Sequence, residues 1–400
     1  MREVDWGFAH ELEDIAGQVA ICGVGEADHT RASGRTAVEV AGQAIERALA
    51  DAGLAPADVD GIMHVPSFAD AFDAAAFRDY FGASHDMWES DRGGGMVWAG
   101  TAPHDAAQAL QDGKATCIVN SFAVAWATQR GSMVGGPGQS HAQELFKQNL
   151  EVPFGWFPQP VYFATIARRH MHEYGTTQAQ LGAVAVTLRR HANLTPSAVM
   201  RDKPLSLDAY MASPTIADPF RKEDCCLISD GGGAYVMTTP ARARDLRTTP
   251  VEVAGVGLGS STTGTHWAQQ REFCSTPQVF AAPGGLAMAG ITPADVDVLA
   301  CYDPFTIHSV MQVEDMGFCP KGDGGPFAEA GSLAFDSGVL PYNTHGGLLS
   351  HAYVLGIAHV VEVVRQLRGE CGERQVPNAE IGVYGGYTGP QASTLVLRRG

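Results

Sequence analysis

The chain has 400 residues, 45% apolar and 18% charged, with a formal net charge of −17. That balance suits a folded globular chain and excludes nonspecific binding to nucleic acid or an anionic membrane, both of which need a basic surface. No apolar run reaches the ~18 residues of a membrane span. The acidic start MREVDWGFAHELEDIAG has no signal-peptide pattern, so a cytoplasmic location is expected.

Taken in order, the chain repeats itself. VAICGVG at 19–25 returns as VEVAGVG at 251–257, and AGLAPADVD at 52–60 returns as AGITPADVD at 289–297. Each second block leads from a helix into a strand, GIMHVPSF after Asp60 and VLACYDPF after Asp297. A glycine turn opening a helix follows each, at 92–113 and at 345–369. β-like runs come next, ATCIVNSFAV and EIGVYGGYTG, and the two copies close on AYVMTT and STLVLRR. Matching blocks in matching order imply duplicated α/β halves, 1–250 and 251–400, each a mixed sheet with covering helices. Residues 126–229 read as an insertion in the first half, with two helical runs and a Pro/aromatic stretch, VPFGWFPQP.

Within 345–369 the pair Gly346-Gly347 permits a tight turn, and the apolar pattern through Leu355, Ala358, Val361 and Leu367 predicts a buried helix stopping at Gly369. Arg189, Arg190 and His191 end the second inserted helix, where they meet its dipole or contact cofactor phosphates. His170 and His172 lack i,i+4 spacing and read as a solvated helix face. The eight cysteines, Cys22, Cys117, Cys225, Cys226, Cys274, Cys301, Cys319 and Cys371, form no C-x-x-C pairs. They read as reduced and mostly buried, and no metal site is expected.

EYGTTQAQLGAVAVTLRRHANLTPSAVMRDKPLSLDAYMASPTIADPF, CCLISDGGGAYV, YDPFTIHSVMQVEDMGFCPKGDGG and YNTHGGLLSHAYVLG carry a likeness that spans nearly the whole chain. It resembles the thiolase superfamily, in the branch of sterol-carrier-protein-type thiolases and lipid-transfer-protein-like relatives. The resemblance implies an α/β thiolase fold with duplicated αβαβα five-layered architecture and an inserted loop domain, a homodimer, and acyl-coenzyme A as substrate.

The departures shape the functional expectation. Where thiolases place a nucleophilic cysteine, this chain reads Asp91-Arg92-Gly93-Gly94-Gly95-Met96, so no acyl-enzyme forms there. Gly94 and Gly95 remain able to let substrate approach the backbone or to present N–H groups to an oxyanion. The position opening the family's HDxF or NEAF motif is Tyr302, and that of the GHP histidine is Tyr353. The C-terminal cysteine base is missing from Val383–Gly389. This pattern resembles the thiolase-like steroid side-chain aldolases, which work with a small OB-fold-containing partner.

The implied reaction is retro-aldol cleavage of a β-hydroxyacyl-coenzyme A, with a steroid 17-hydroxy-20-carboxyl thioester giving a 17-ketosteroid and propionyl-coenzyme A. Such chemistry needs a base for the β-hydroxyl proton, stabilisation of an enolate, and an acid for its carbon. No cofactor beyond the substrate's own coenzyme A is required. Tyr302 and Tyr353 are the expected catalytic pair. Full ionisation of a tyrosine at neutral pH costs roughly 4 kcal/mol, which concerted transfer or a neighbouring donor or cation relieves. Gly94, Gly95, Asn343, His345 and Gly346 are the expected substrate-binding residues, though local turn bonding is the plainer role for Asn343 and His345. Asp303 reads as a structural acceptor. Two alternatives stand beside the lyase: a non-catalytic acyl-coenzyme A or lipid-binding subunit, and an acyltransferase using Cys301, which alternation along a strand turns away from Tyr302.

Overall fold

The computed structural model describes residues 5–65, 71–129, 149–156, 159–262 and 271–400. The segment GSMVGGPGQS and part of VPFGWFPQP lie outside them. The described residues contain twelve strands: β1 Gly7–Ala9, β2 Ala20–Glu26, β3 Gly61–Met63, β4 Trp88–Ser90, β5 Ile118–Ala125, β6 Thr215–Ala217, β7 Phe220–Arg221, β8 Asp230–Thr238, β9 Val251–Ser261, β10 Val298–Cys301, β11 Ile381–Tyr387 and β12 Gln391–Arg399.

Ten of them form one sheet in the order β10-β11-β12-β9-β2-β8-β5-β3-β4, with β1 on β9. The two sequence copies build it in the same way. In each, the first strand runs antiparallel to the last (β2 with β8, β9 with β12), and the last runs antiparallel to the strand before it (β5, β11). That strand then runs parallel to the second (β3, β10). The halves join where β2 meets β9 through Ala20↔Glu252 and Ile21↔Val251, and where β1 pairs with β9.

The repeated PADVD blocks do the same local work twice. Asp60 accepts the amides of Thr116 and Cys117, just before β5. Asp297 accepts those of Glu380 and Ile381, where β11 begins. One carboxylate therefore pins each strand that leads towards the centre of the molecule.

Helices fill three layers around the two half-sheets. α1, Ala37–Ala52, covers the outer face of the first; Thr36 and Glu39 form its capping box and Gly53 ends it in the left-handed region. α2 is Ala74–Phe81, and α3, Val97–Gln111, packs on both half-sheets. The stretch between β5 and β8 carries α4 Gln159–Tyr174, α5 Gln178–Asn193, α6 Leu207–Ala212 and the β6–β7 hairpin. α7 is Pro240–Arg244, and α8, Gln278–Met288, covers the outer face of the second half-sheet. α9 Thr306–Asp315 and α10 Gly324–Glu329 follow. α11 Gly347–Ser350 and α12 Ile357–Arg368 come last, and α12 joins α3 in the central layer. The layers run α, β, α, β, α. Among the described residues no helix is long and apolar enough to cross a membrane.

Two expectations change. The 345–369 segment is two helices rather than one. Leu355 (φ 50°) and Gly356 (φ 81°) both adopt positive φ, breaking the run and leaving Tyr353 in the gap. α12 does stop at Gly369, with φ 78°. His170 is not solvated: it is fully buried, with Nδ1 2.7 Å from Thr176 Oγ1 and Nε2 3.1 Å from Glu314 Oε2. It lies four residues after Ile166 and eight after Tyr162, on the buried face of α4.

Candidate active site

Tyr302 follows β10 directly. Its amide donates to Gly385 O on β11, and its carbonyl accepts Gln312 Nε2 from α9, at 2.7 Å. Tyr353 sits in the break between α11 and α12, with its amide donating to Ser229 Oγ at 2.9 Å. Trp126, at the end of β5, packs on the Tyr353 ring with centroids 4.6 Å apart. Asp230 holds that corner by accepting the amides of Ala127 and Thr128 and both the amide and hydroxyl of Ser33.

These restraints bring the two phenols together. Tyr302 Oη and Tyr353 Oη are 3.1 Å apart, and each residue is only 6% exposed. Burial pushes both hydroxyls well above the ordinary tyrosine range. For Tyr302 the hydrogen bond from Tyr353 opposes that rise, while for Tyr353 the Tyr302 hydroxyl adds to it. Burial is the largest influence on both phenols and favours the protonated form of the pair.

Asp303 is buried beside Tyr302, and its Oδ1 accepts Leu348 N at 2.9 Å and faces His359 Nε2 at 2.8 Å. Burial raises its pKa and the His359 contact opposes this. A Cβ on Gly347 would lie 2.1 Å from Asp303 Oδ2, so only glycine lets the turn close on the carboxylate.

The first-half turn meets the second from the other side. Gly94 N donates to Asn120 Oδ1 at 2.6 Å, and Asn120 Nδ2 returns a bond to Gly94 O. A Cβ on Gly95 would lie 2.5 Å from Leu355 O, two residues past Tyr353. Met96 starts α3 at φ 52°, with its amide bonded to Leu355 O and its carbonyl accepting Tyr384 Oη.

The remaining expected substrate contacts are spent elsewhere. Asn343 is fully buried and braces Cys301, its Oδ1 accepting the amide and its Nδ2 donating to the carbonyl. His345 packs between His351 and His359, with no hydrogen-bond partner on either ring nitrogen. Gly346 turns against α5, where a Cβ would come within 2.6 Å of Ala192. All three make contacts within the turn and its packing.

Arg189 is buried and bonds Ser350 Oγ and Lys203 O, while Arg190 pairs with Asp336 at the surface. Buried His191 meets Asn343 O and Phe335 N. The trio therefore fastens α5 to the second half. Cys301 Sγ lies against Met316 Sδ at 3.6 Å. The eight cysteines are free thiols, buried or half-buried, and burial raises every one, five of them to about 12. Trp126, Ser229, Asn120 and His359 complete the site without having been singled out in the sequence. Ser229 does lie in the quoted CCLISDGGG passage.

The geometry can be set beside known proteins. A thiolase C-terminal domain-like family matches residues 259–399. The 17-hydroxy-3-oxo-4-pregnene-20-carboxyl-CoA lyase of Mycobacterium tuberculosis is 36% identical over 393 residues, covering 96% of this chain and 100% of that protein. The steroid side-chain-cleaving aldolase of Thermomonospora curvata is 33% identical, covering 96% of this chain and 98% of that protein. Among solved structures, the Ltp2-ChsH2(DUF35) aldolase superposes with a TM-score of 0.87 at 32% identity, covering 97% of this chain and 99% of that one.

Proposed function

Because the chain belongs to the thiolase superfamily, in the branch of the steroid side-chain aldolases, we propose that it cleaves the side chain of a steroid β-hydroxyacyl-coenzyme A by a retro-aldol reaction. The observation that carries this reading is the buried tyrosine pair, 3.1 Å apart, at the two places that match the opening residue of the thiolase HDxF or NEAF motif and the histidine of its GHP motif. One phenol accepts the β-hydroxyl proton and in the same motion gives its own to the other phenol across the shared hydrogen bond, as the Cα–Cβ bond breaks. The β-carbon becomes the ketone, and the electron pair goes to the thioester enolate. The other phenol protonates the enolate carbon, which restores the pair. Since burial disfavours a resting tyrosinate, proton transfer and bond cleavage are concerted.

The substrate is a 17-hydroxy-20-carboxyl thioester, and the products are the 17-ketosteroid and propionyl-coenzyme A. The working form includes a small partner of the DUF35 type, as the name of the superposed aldolase suggests. The test is the chain co-expressed with such a partner and given that thioester, both products being followed by mass spectrometry. Both products should appear with the native chain and be lost in Tyr302→Phe and in Tyr353→Phe. Intact substrate despite measured binding would instead favour a non-catalytic acyl-coenzyme A subunit.

A further inference from the structure

At the end of β2, beside the turn that carries Tyr353, three metal-ligating side chains converge. They are Glu26, His29 and His351, and one ligand atom of each lies within 4.8 Å of the others. Glu26 Oε1 is 3.4 Å from His351 Nε2 and 4.0 Å from His29 Nε2. The side chains are 7%, 1% and 0% exposed, in the order Glu26, His351, His29.

The spacing is the informative quantity. Charge-assisted hydrogen bonds to a carboxylate run about 2.7–2.9 Å, so both separations are too long for direct bonding. Three atoms each about 2.0–2.2 Å from one tetrahedral ion lie roughly 3.3–3.5 Å apart. The first separation already meets that, and a movement of about half an ångström by His29 brings the second to it. We infer that Glu26, His29 and His351 form a binding site for a divalent transition-metal ion of the zinc class.

The surroundings suit an ion. Arg365 pairs with Glu26 Oε2, which keeps the carboxylate ionised and leaves Oε1 for the metal. His351 Nε2 also lies 3.0 Å from Ser197 Oγ, and His29 Nε2 lies 3.3 Å from Gly232 O. A carbonyl oxygen only accepts, so His29 Nε2 carries the proton in this arrangement, and an ion bound there would shift that proton to Nδ1, which is buried without a partner among the described residues in both rings. One carboxylate and two imidazoles match the preference of zinc for nitrogen and oxygen ligands, and they leave a fourth position for water.

The ion would join two separate parts of the chain. Glu26 and His29 belong to the first half, whereas His351 lies two residues before Tyr353. From His351 the contacts continue through His345 at 4.8 Å and His359 at 4.6 Å to the Asp303 carboxylate beside Tyr302. Bound metal therefore fixes the turn that presents Tyr353. The inference stands whether or not the aldolase reading does.

The test counts metal in the full-length chain, purified without an affinity tag or chelator, by inductively coupled plasma mass spectrometry. Metal-free protein is then titrated with zinc and with cobalt(II). About one ion per chain is expected, with visible d–d absorption from four-coordinate cobalt and a melting temperature that rises with zinc concentration. His29→Gln and Glu26→Gln should each weaken binding at least about 100-fold, with circular dichroism confirming that they fold. If either variant fails to fold, the cobalt spectrum and melting shift of the native chain decide alone. No saturable ion in the native chain, or undiminished binding in a folded variant, overturns the site.

Discussion

The two glycine turns at the centre of the molecule occupy equivalent places and have opposite characters. Gly93–Met96 is shaped by backbone and one amide side chain: Asn120 clasps Gly94, and Gly95 lies against Leu355. Asn343–Leu355 is crowded with ionisable groups, and Asp303, His345, His351, His359 and Tyr353 all pack in or onto it. The first half thus supplies a smooth wall, Trp126 and Ser229, while the second supplies the phenols. A duplicated fold can keep its architecture in both copies and hold its chemistry in one.

The sharpest way to break that contrast is to silence the second turn. Tyr302→Phe and Tyr353→Phe should each lower kcat by about 10²–10⁴-fold in the aldolase assay, with unchanged melting temperature. The double variant should be little slower than the worse single one, because the pair acts as a unit. Multiplying losses in single-turnover kinetics would mean that the tyrosines work separately.

Gly347→Ala tests the close approach to Asp303. Positive φ (61°) and the carboxylate in the path of the new methyl should together cost roughly 2–4 kcal/mol in urea unfolding.

His191, which fastens α5 to the second turn, is held neutral by burial, with its pKa lowered to about 4. Its unfolded value is near 6.5, so protonation favours unfolding. Its contribution is complete above pH 6.5 and is lost as pH falls towards 4, by up to roughly 3 kcal/mol. The urea midpoint of His191→Gln should therefore fall less steeply than that of the native chain over this window.

The smallest effect is expected at the first turn. Asn120→Ala leaves the Gly94 amide without its acceptor and should cost about 1–3 kcal/mol, moving KM more than kcat. A change in kcat as large as that of the tyrosine variants would remove the distinction between the two turns.

Much of this was readable in the sequence, for particular reasons. The paired PADVD blocks announced two similar halves because each places an aspartate to cap the strand beside it. Tyr302 and Tyr353 stood out because they replace residues at fixed places in recurring motifs. Contacts between residues far apart in the chain left no such trace. Trp126 reaches Tyr353, and His359 reaches Asp303, across separations that no local period encodes. For Asn343 and His345, adjacency to the glycine pair says nothing about direction. Asn343 turns to Cys301, and His345 turns into a stack of imidazoles. The break in the last helix depends on Leu355 accepting positive φ, which its apolar side chain does not advertise.

The condition of the cysteines has a consequence for survival under oxidative attack. Alkylating agents and peroxide react with thiolates, and every thiol here is held protonated by its surroundings. Iodoacetamide and mild peroxide, which disarm an enzyme dependent on a reactive cysteine, should react slowly with these eight side chains. The proposed reaction uses no thiol and would leave the chain indifferent to the redox state of its environment, a tolerance that a cysteine nucleophile does not allow.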